Sequence, residues 1–205
     1  MPKNIRKIAA FAVTILTAFV ITACGGGSNS RNTDRLVVGQ NADANSLDLH
    51  RANDVNSSLV TGQIFETLVI QTPEMELIPG LATDWHLLED GLTWEFNLRE
   101  GVTFHNGEAF TADDVKFTFQ RAANFPQIDV ILGMIDSENI EIVSDYVIHI
   151  PTYEPFAPFL RNLAHPAAAI MNRVAVTAAE EISEAEVSEN PVGTGPFEFV
   201  RWSTG

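Results

Sequence analysis

The chain has 205 residues, 45% of them hydrophobic, with 12 Lys and Arg against 27 Asp and Glu for a formal charge of −15. That apolar share supports a folded core and excludes a chain that is disordered throughout. The acidity excludes nucleic acid and anionic lipid headgroups as natural partners, because both repel a surface of this sign.

Lys3, Arg6 and Lys7 form a positive start, and Ile8 to Ala23 is then a 16-residue stretch that is apolar apart from Thr14, Thr17 and Thr22. A membrane span needs roughly 20 apolar residues, so the stretch fits the hydrophobic region of an export signal. It closes on Ile21-Thr22-Ala23-Cys24, which resembles a bacterial lipobox: an aliphatic residue, two small residues and the cysteine that takes the lipid. Residues 1–23 are expected to be a lipoprotein signal peptide and residues 24–35, rich in Gly and Ser, a flexible tether. Lipid on Cys24 would hold the protein at the outer face of a membrane without spanning it. Cys24 is the sole cysteine, so no internal disulfide is possible.

Leu36 to Gln40 is β-prone and predicts a first strand. Asn41 to Asn56 is polar and predicts a loop. Ser57 to Val69 predicts a helix with Leu59, Ile64, Phe65 and Leu68 on one face and Asn56 as cap. Leu81–Leu88 and Leu92–Arg99 predict a hairpin turning through Glu89-Asp90-Gly91, with Trp94, Phe96 and Leu98 on its apolar side. Thr111 to Asn124 predicts a helix, with Thr111 as N-cap and Asp114 completing a capping box. Ile140 to Ile150 predicts a second hairpin about Ser144-Asp145. Phe156 to Leu163 predicts a helix, Glu180 to Glu189 a solvated acidic face and Phe197 to Trp202 a last strand. The sum is a mixed α/β fold.

Reactive chemistry is sparse. His50, His86, His105, His149 and His165 show no metal-ligand spacing, and no Gly-x-Ser-x-Gly elbow is present. Asp113 and Asp114 are explained by helix capping, and Gly193-Thr194-Gly195 by a turn. No catalytic residue, metal ligand or cofactor is expected. The residues point to an extracytoplasmic binding or structural domain rather than an enzyme.

A longer pattern narrows this. Pro79-Gly80-Leu81-Ala82, Trp85, the run Asp90-Gly91-Leu92-Thr93-Trp94-Glu95-Phe96-Asn97-Leu98-Arg99-Glu100-Gly101-Val102, Phe104-His105-Asn106-Gly107 and Phe110-Thr111-Ala112-Asp113-Asp114-Val115 follow in order. Together they resemble the signature of the family 5 extracellular solute-binding proteins, the oligopeptide, dipeptide and nickel receptors of bacterial ABC importers. Ser46-Leu47-Asp48-Leu49-His50 is similar to the family's Ser-Leu-Asp-Pro-His stretch, with Leu49 in place of Pro. Ile64-Phe65-Glu66-Thr67-Leu68 and Pro191-Val192-Gly193-Thr194-Gly195-Pro196-Phe197 are similar to further family segments.

The resemblance implies a type II periplasmic-binding-protein fold of two lobes. Residues 36–50 and 166–205 would belong to the first lobe, and 51–165 to an inserted α+β subdomain. The chain would stop before the second lobe, as an amino-terminal part. A peptide ligand would lie extended along Asn53-Asp54-Val55-Asn56, pairing with the backbone of Asn53 and Val55 while Asp54 offers charge. Asp54 and Asn56 serving only as helix caps is the alternative. The implied role is capture of oligopeptides or dipeptides outside the cytoplasmic membrane and delivery to an ABC permease. A receptor for nickel or another small chelate, and a surface lipoprotein with a structural or chaperone role, are the other readings.

Overall fold

The computed structural model describes residues 35–203, so the predicted signal peptide, Cys24 and nearly all of the predicted tether lie outside the described residues. Residues 35–39 fall in a separate unit from the one that begins at Gln40. The run Leu36 to Gln40 is not a strand, and Leu36, Val37 and Val38 are all exposed. A β-prone run becomes a strand only when a neighbour completes its ladder, and among the described residues none pairs with it.

The first helix, α1 (Val55–Ile64), starts two residues earlier than predicted. Its cap is Asp54, not Asn56: Asp54 has extended backbone (φ −80°, ψ 158°) and its carboxylate accepts from the Ser57 amide. The buried face is Ser57, Thr61 and Ile64, whereas Leu59 is exposed. The helix ends at Phe65, also in extended conformation, because Phe65 and Leu68 enter two different cores. Val69, which the apolar pattern had placed in the helix, instead opens β1 (Val69–Gln71), which pairs antiparallel with β2 (Leu77–Pro79) in a hairpin not predicted from sequence.

The main sheet carries both predicted hairpins. Strands β3 (Ala82–Leu87), β4 (Thr93–Leu98), β5 (Glu141–Ser144) and β6 (Val147–Pro151) stand in the order β3-β4-β6-β5, every pair antiparallel. Asp90 shapes the first turn by accepting from the Leu92 and Thr93 amides, both at 2.9 Å, and Gly91 supplies the left-handed residue (φ +70°). Alternation then puts Phe96, Leu98, Ile148 and Ile150 in the core, and Trp94 stacks on Phe159 from the same side.

Helix α2 (Ala112–Ala122) has the predicted capping box of Thr111 and Asp114. It lies beside β5, where Lys116 Nζ donates to the Ile140 carbonyl at 2.8 Å. The other oxygen of Asp114 accepts from the Arg173 amide at 3.0 Å, so one carboxylate fastens the start of α2 to the start of α5. Short helices α3 (Asp129–Leu132) and α4 (Phe159–Leu163) complete the larger core with Leu132, Phe159 and Leu163. Helices α5 (Arg173–Ile182) and α6 (Glu186–Glu189) build a smaller core from Val176, Ala179 and Val187 with Leu49, Ile64, Phe65 and Met171. Phe197 to Trp202 is not a strand; Phe197 and Val200 are exposed, and no described strand flanks them. Among the described residues no helix is long and apolar enough to cross a membrane.

Candidate functional site

The segment Asn53 to Asn56 sits at the entry to α1. Asn53 and Val55 are exposed, Val55 at 73%, while Asp54 and Asn56 are half-buried. Ser57 occupies both Asp54 oxygens, its amide on Oδ1 at 3.1 Å and its hydroxyl on Oδ2 at 2.7 Å. Those bonds favour the anion and hold the Asp54 pKa below the usual carboxylate range. Asp54 is therefore a helix cap, and it carries charge at the same time. Val55 is the first helical residue, whose amide has no partner within the helix.

A buried polar network fixes this segment. Asp48 and His50 are fully buried, and Arg121 of α2 reaches them. Arg121 Nη1 donates to Asp48 Oδ1 at 2.9 Å and Nη2 to Oδ2 at 2.7 Å, a two-pronged pair. Its Nε donates to Glu180 of α5 at 2.8 Å, and Nη1 also donates to His50 Nδ1 at 2.9 Å. The guanidinium lies over the Phe125 ring, 4.7 Å from its centre. Burial first, and the Arg121 charge second, lower the His50 pKa to about 3.

Further bonds carry this anchorage to the exposed residues. Gln127 Nε2 donates to the His50 carbonyl at 2.8 Å, and Asn53 Nδ2 donates to the Gln127 carbonyl at 3.1 Å. On the other side, the Ser57 hydroxyl accepts from the Asn45 amide at 2.9 Å, and Ser188 of α6 accepts from the Leu47 amide at 2.8 Å. Arg51 bridges Asp48 and Glu184. The acidic run is thus not only a solvated face, since Glu180 and Glu184 hold the two arginines.

The far end of α1 is clamped as well. His105 Nε2 donates to the Gly195 carbonyl at 2.8 Å, and the Gly195 amide donates to the Ile64 carbonyl at 2.8 Å. A Cβ on Gly193 would come within 2.0 Å of the Ile64 oxygen, so only glycine permits this approach. Gly193-Thr194-Gly195 is a close-packed strap over α1, more than the simple turn predicted.

The histidines divide by role. His50 and His105 serve the two anchor points, and His165 Nδ1 accepts from the Ala167 amide to cap a short turn. His86 and His149 meet on the sheet, either side of Glu95. Sequence spacing missed both the Asp48–Arg121 pair and this convergence. Neither has a local signature, because the partners lie on separate elements.

Residues 76–205 match the sequence profile described as bacterial extracellular solute-binding proteins, family 5 Middle. The chain is 38% identical over 162 residues to the glutathione-binding protein GsiB of Pectobacterium atrosepticum, covering 77% of this chain and 30% of that protein. Among solved structures, DppA of Helicobacter pylori in complex with the peptide STSA is 32% identical with a TM-score of 0.72, over 80% of this chain and 36% of that one. NikZ of Campylobacter jejuni in complex with Ni(L-His) is 31% identical with a TM-score of 0.62, over 70% and 29%. The chain spans about a third of the length of these relatives. Its mixed α/β architecture is that of the type II periplasmic binding proteins. The chain belongs to the bacterial extracellular solute-binding proteins of family 5.

Proposed function

We propose that this protein is the substrate-binding lipoprotein of an ABC import system. It captures peptides outside the cytoplasmic membrane and delivers them to the permease. The observation that carries this reading is the Asn53–Asn56 segment: Asn53 and Val55 are exposed on either side of a charged Asp54, and the main chain there is held by Asn53 on the Gln127 carbonyl and by Asp54 on Ser57. Backbone of that kind pairs with an extended peptide by strand addition, which gives affinity without demanding one side chain. Glutathione-binding and peptide-bound relatives support a short peptide as the ligand class. Residues 36–50 and 166–205 are assigned to the first lobe, and 51–165 to an inserted subdomain.

Chemical-shift titration of the chain with the tetrapeptide Ser-Thr-Ser-Ala tests the assignment. The amides of Asn53 to Asn56 are expected to move together at millimolar peptide. Shifts confined to other parts of the chain would remove the segment from the site. The nickel-bound relative favours a metal chelate as the second reading, and nickel–histidine in place of the peptide distinguishes the two.

The lipid anchor is proposed on Cys24, after cleavage of residues 1–23, with 24–35 as the tether. Cys24→Ser is expected to abolish labelling by a fatty-acid probe and to release the protein from the membrane fraction. Unchanged labelling would rule out lipidation at Cys24.

A further inference from the structure

A cavity of about 370 Å³ lies between the end of α2, the short helix α3 and Tyr153. Its floor is apolar. Phe119 of α2, Leu132 of α3, Ile128 and Ile135 line it, and each is at most 5% exposed. An antiparallel bridge to Thr152 fixes Ile135, and the Tyr153 amide donates to the Met134 carbonyl at 3.1 Å. These bonds hold Tyr153, 64% exposed, at the rim. Asp129 and Gly133 are exposed lining residues as well.

The simplest account is a hollow left by loose packing of residues 124–137. Size and chemistry fit a ligand site better. Small-molecule sites span about 300–1,000 Å³ and combine an apolar lining with a few polar groups. Among the described residues that line this cavity, Asp129 alone is charged, and no Lys, Arg or His joins it. An acid in the first turn of a helix needs no ligand when it serves the helix dipole, but α3 has only four residues and a correspondingly small dipole. The carboxylate is not balanced elsewhere either. Among the described residues the arginine ion pairs go to Asp48, Glu180 and Glu184, and none goes to Asp129. Its side chain lies back over Gly133, where a Cβ would collide with it. Arg121 lies against Phe125, a further lining ring, but Asp48 and Glu180 already match that charge.

We propose that this cavity binds a small organic amine. An aromatic or alkyl body would sit on Phe119, Ile128, Leu132 and Ile135, with its ammonium group at the Asp129 carboxylate. Burial of the body supplies the affinity, and Asp129 selects the cation over an anion of the same shape. The site uses other residues than Asn53–Asn56 and does not rest on the peptide reading.

The test is chemical-shift titration of the full chain with phenethylamine and, separately, with 3-phenylpropionate, which carries a carboxylate in place of the ammonium. Phenethylamine is expected to move the amides of Leu132, Gly133 and Tyr153 together and to saturate at millimolar ligand. 3-Phenylpropionate should bind about tenfold more weakly, since it loses the ion pair and meets repulsion instead. Asp129→Asn should weaken phenethylamine by about threefold, the worth of an exposed ion pair, and should narrow its advantage over 3-phenylpropionate. Asp113→Asn removes an exposed acid outside the cavity and should leave the affinity unchanged, which separates Asp129 from the general acidity of the chain. Far-UV circular dichroism verifies that both variants fold. Equal affinity for the two ligands, shifts confined to residues outside the cavity, or parental affinity in folded Asp129→Asn would overturn the proposal.

Discussion

Arg121 commits every guanidinium nitrogen to a partner, and Asp48 beneath it is fully buried. Arg121→Met would leave that carboxylate without its cation. The expected loss is about 3–5 kcal/mol of stability, read by urea unfolding. Arg121→Lys should recover little of it, since an ammonium cannot make the two-pronged pair. His50 gives this node a pH dependence. Its pKa of about 3 in the fold lies below the ordinary imidazole value of 6.5, so the unfolded chain binds the extra proton between those values. Where the unfolded state binds more protons, stability rises with pH. The parent should therefore lose stability on acidification from about 6.5 toward 3, with a His50 share of at most about 1.4 kcal/mol per pH unit. His50→Gln, which can still accept from Arg121, should flatten that slope in acid unfolding curves. An identical slope in the variant would show that other groups set the acid limit. The Ser46-Leu47-Asp48-Leu49-His50 stretch was legible in the sequence as a family segment. Its partner Arg121 was not, because 73 residues separate it from Asp48.

Helix α1 joins the two anchor points, and the glycine within it and the glycine packed against its end should respond in opposite directions. A Cβ at Gly62 meets nothing within 4 Å, so Gly62→Ala should stabilise the helix by roughly 0.5–1 kcal/mol. A Cβ at Gly193 meets the Ile64 backbone, and Gly193→Ala should destabilise by about 1–3 kcal/mol. Thermal unfolding of the two variants checks the contrast, and equal effects would show that the strap is not close-packed. The elements that were legible carry their own local signals. Alternation in Thr93–Leu98 and the Thr111–Asp114 capping box needed no distant partner to be recognised. The runs Leu36 to Gln40 and Phe197 to Trp202 have β propensity of the same quality, yet neither forms a strand. A strand needs a neighbour, and propensity does not report one. The start of α1 was misplaced for a different reason: Asp54 and Asn56 are both good caps, and only the Ser57 contacts decide between them.

For the whole molecule, family and fold were legible because the ordered motifs around Gly80 to Val115 shape the hairpin turn at Gly91, the turn at Gly107 and the capped start of α2. Ligand chemistry was less legible. In the proposed reading it rests on backbone groups of Asn53 and Val55, and backbone groups leave no residue-type signature. The central claim is that a peptide pairs with this main chain, and proline isolates it. Val55 is the first helical residue and follows an extended Asp54, a position that accepts proline without loss of the helix. Val55→Pro deletes the amide hydrogen, whereas Val55→Ala shortens the side chain and keeps it. The most direct measurement is the peptide dissociation constant of the parent and these two variants, by chemical-shift titration. The account predicts parental affinity for Val55→Ala and a loss of up to about tenfold for Val55→Pro, the worth of one hydrogen bond. Parental affinity in a folded Val55→Pro variant would contradict it.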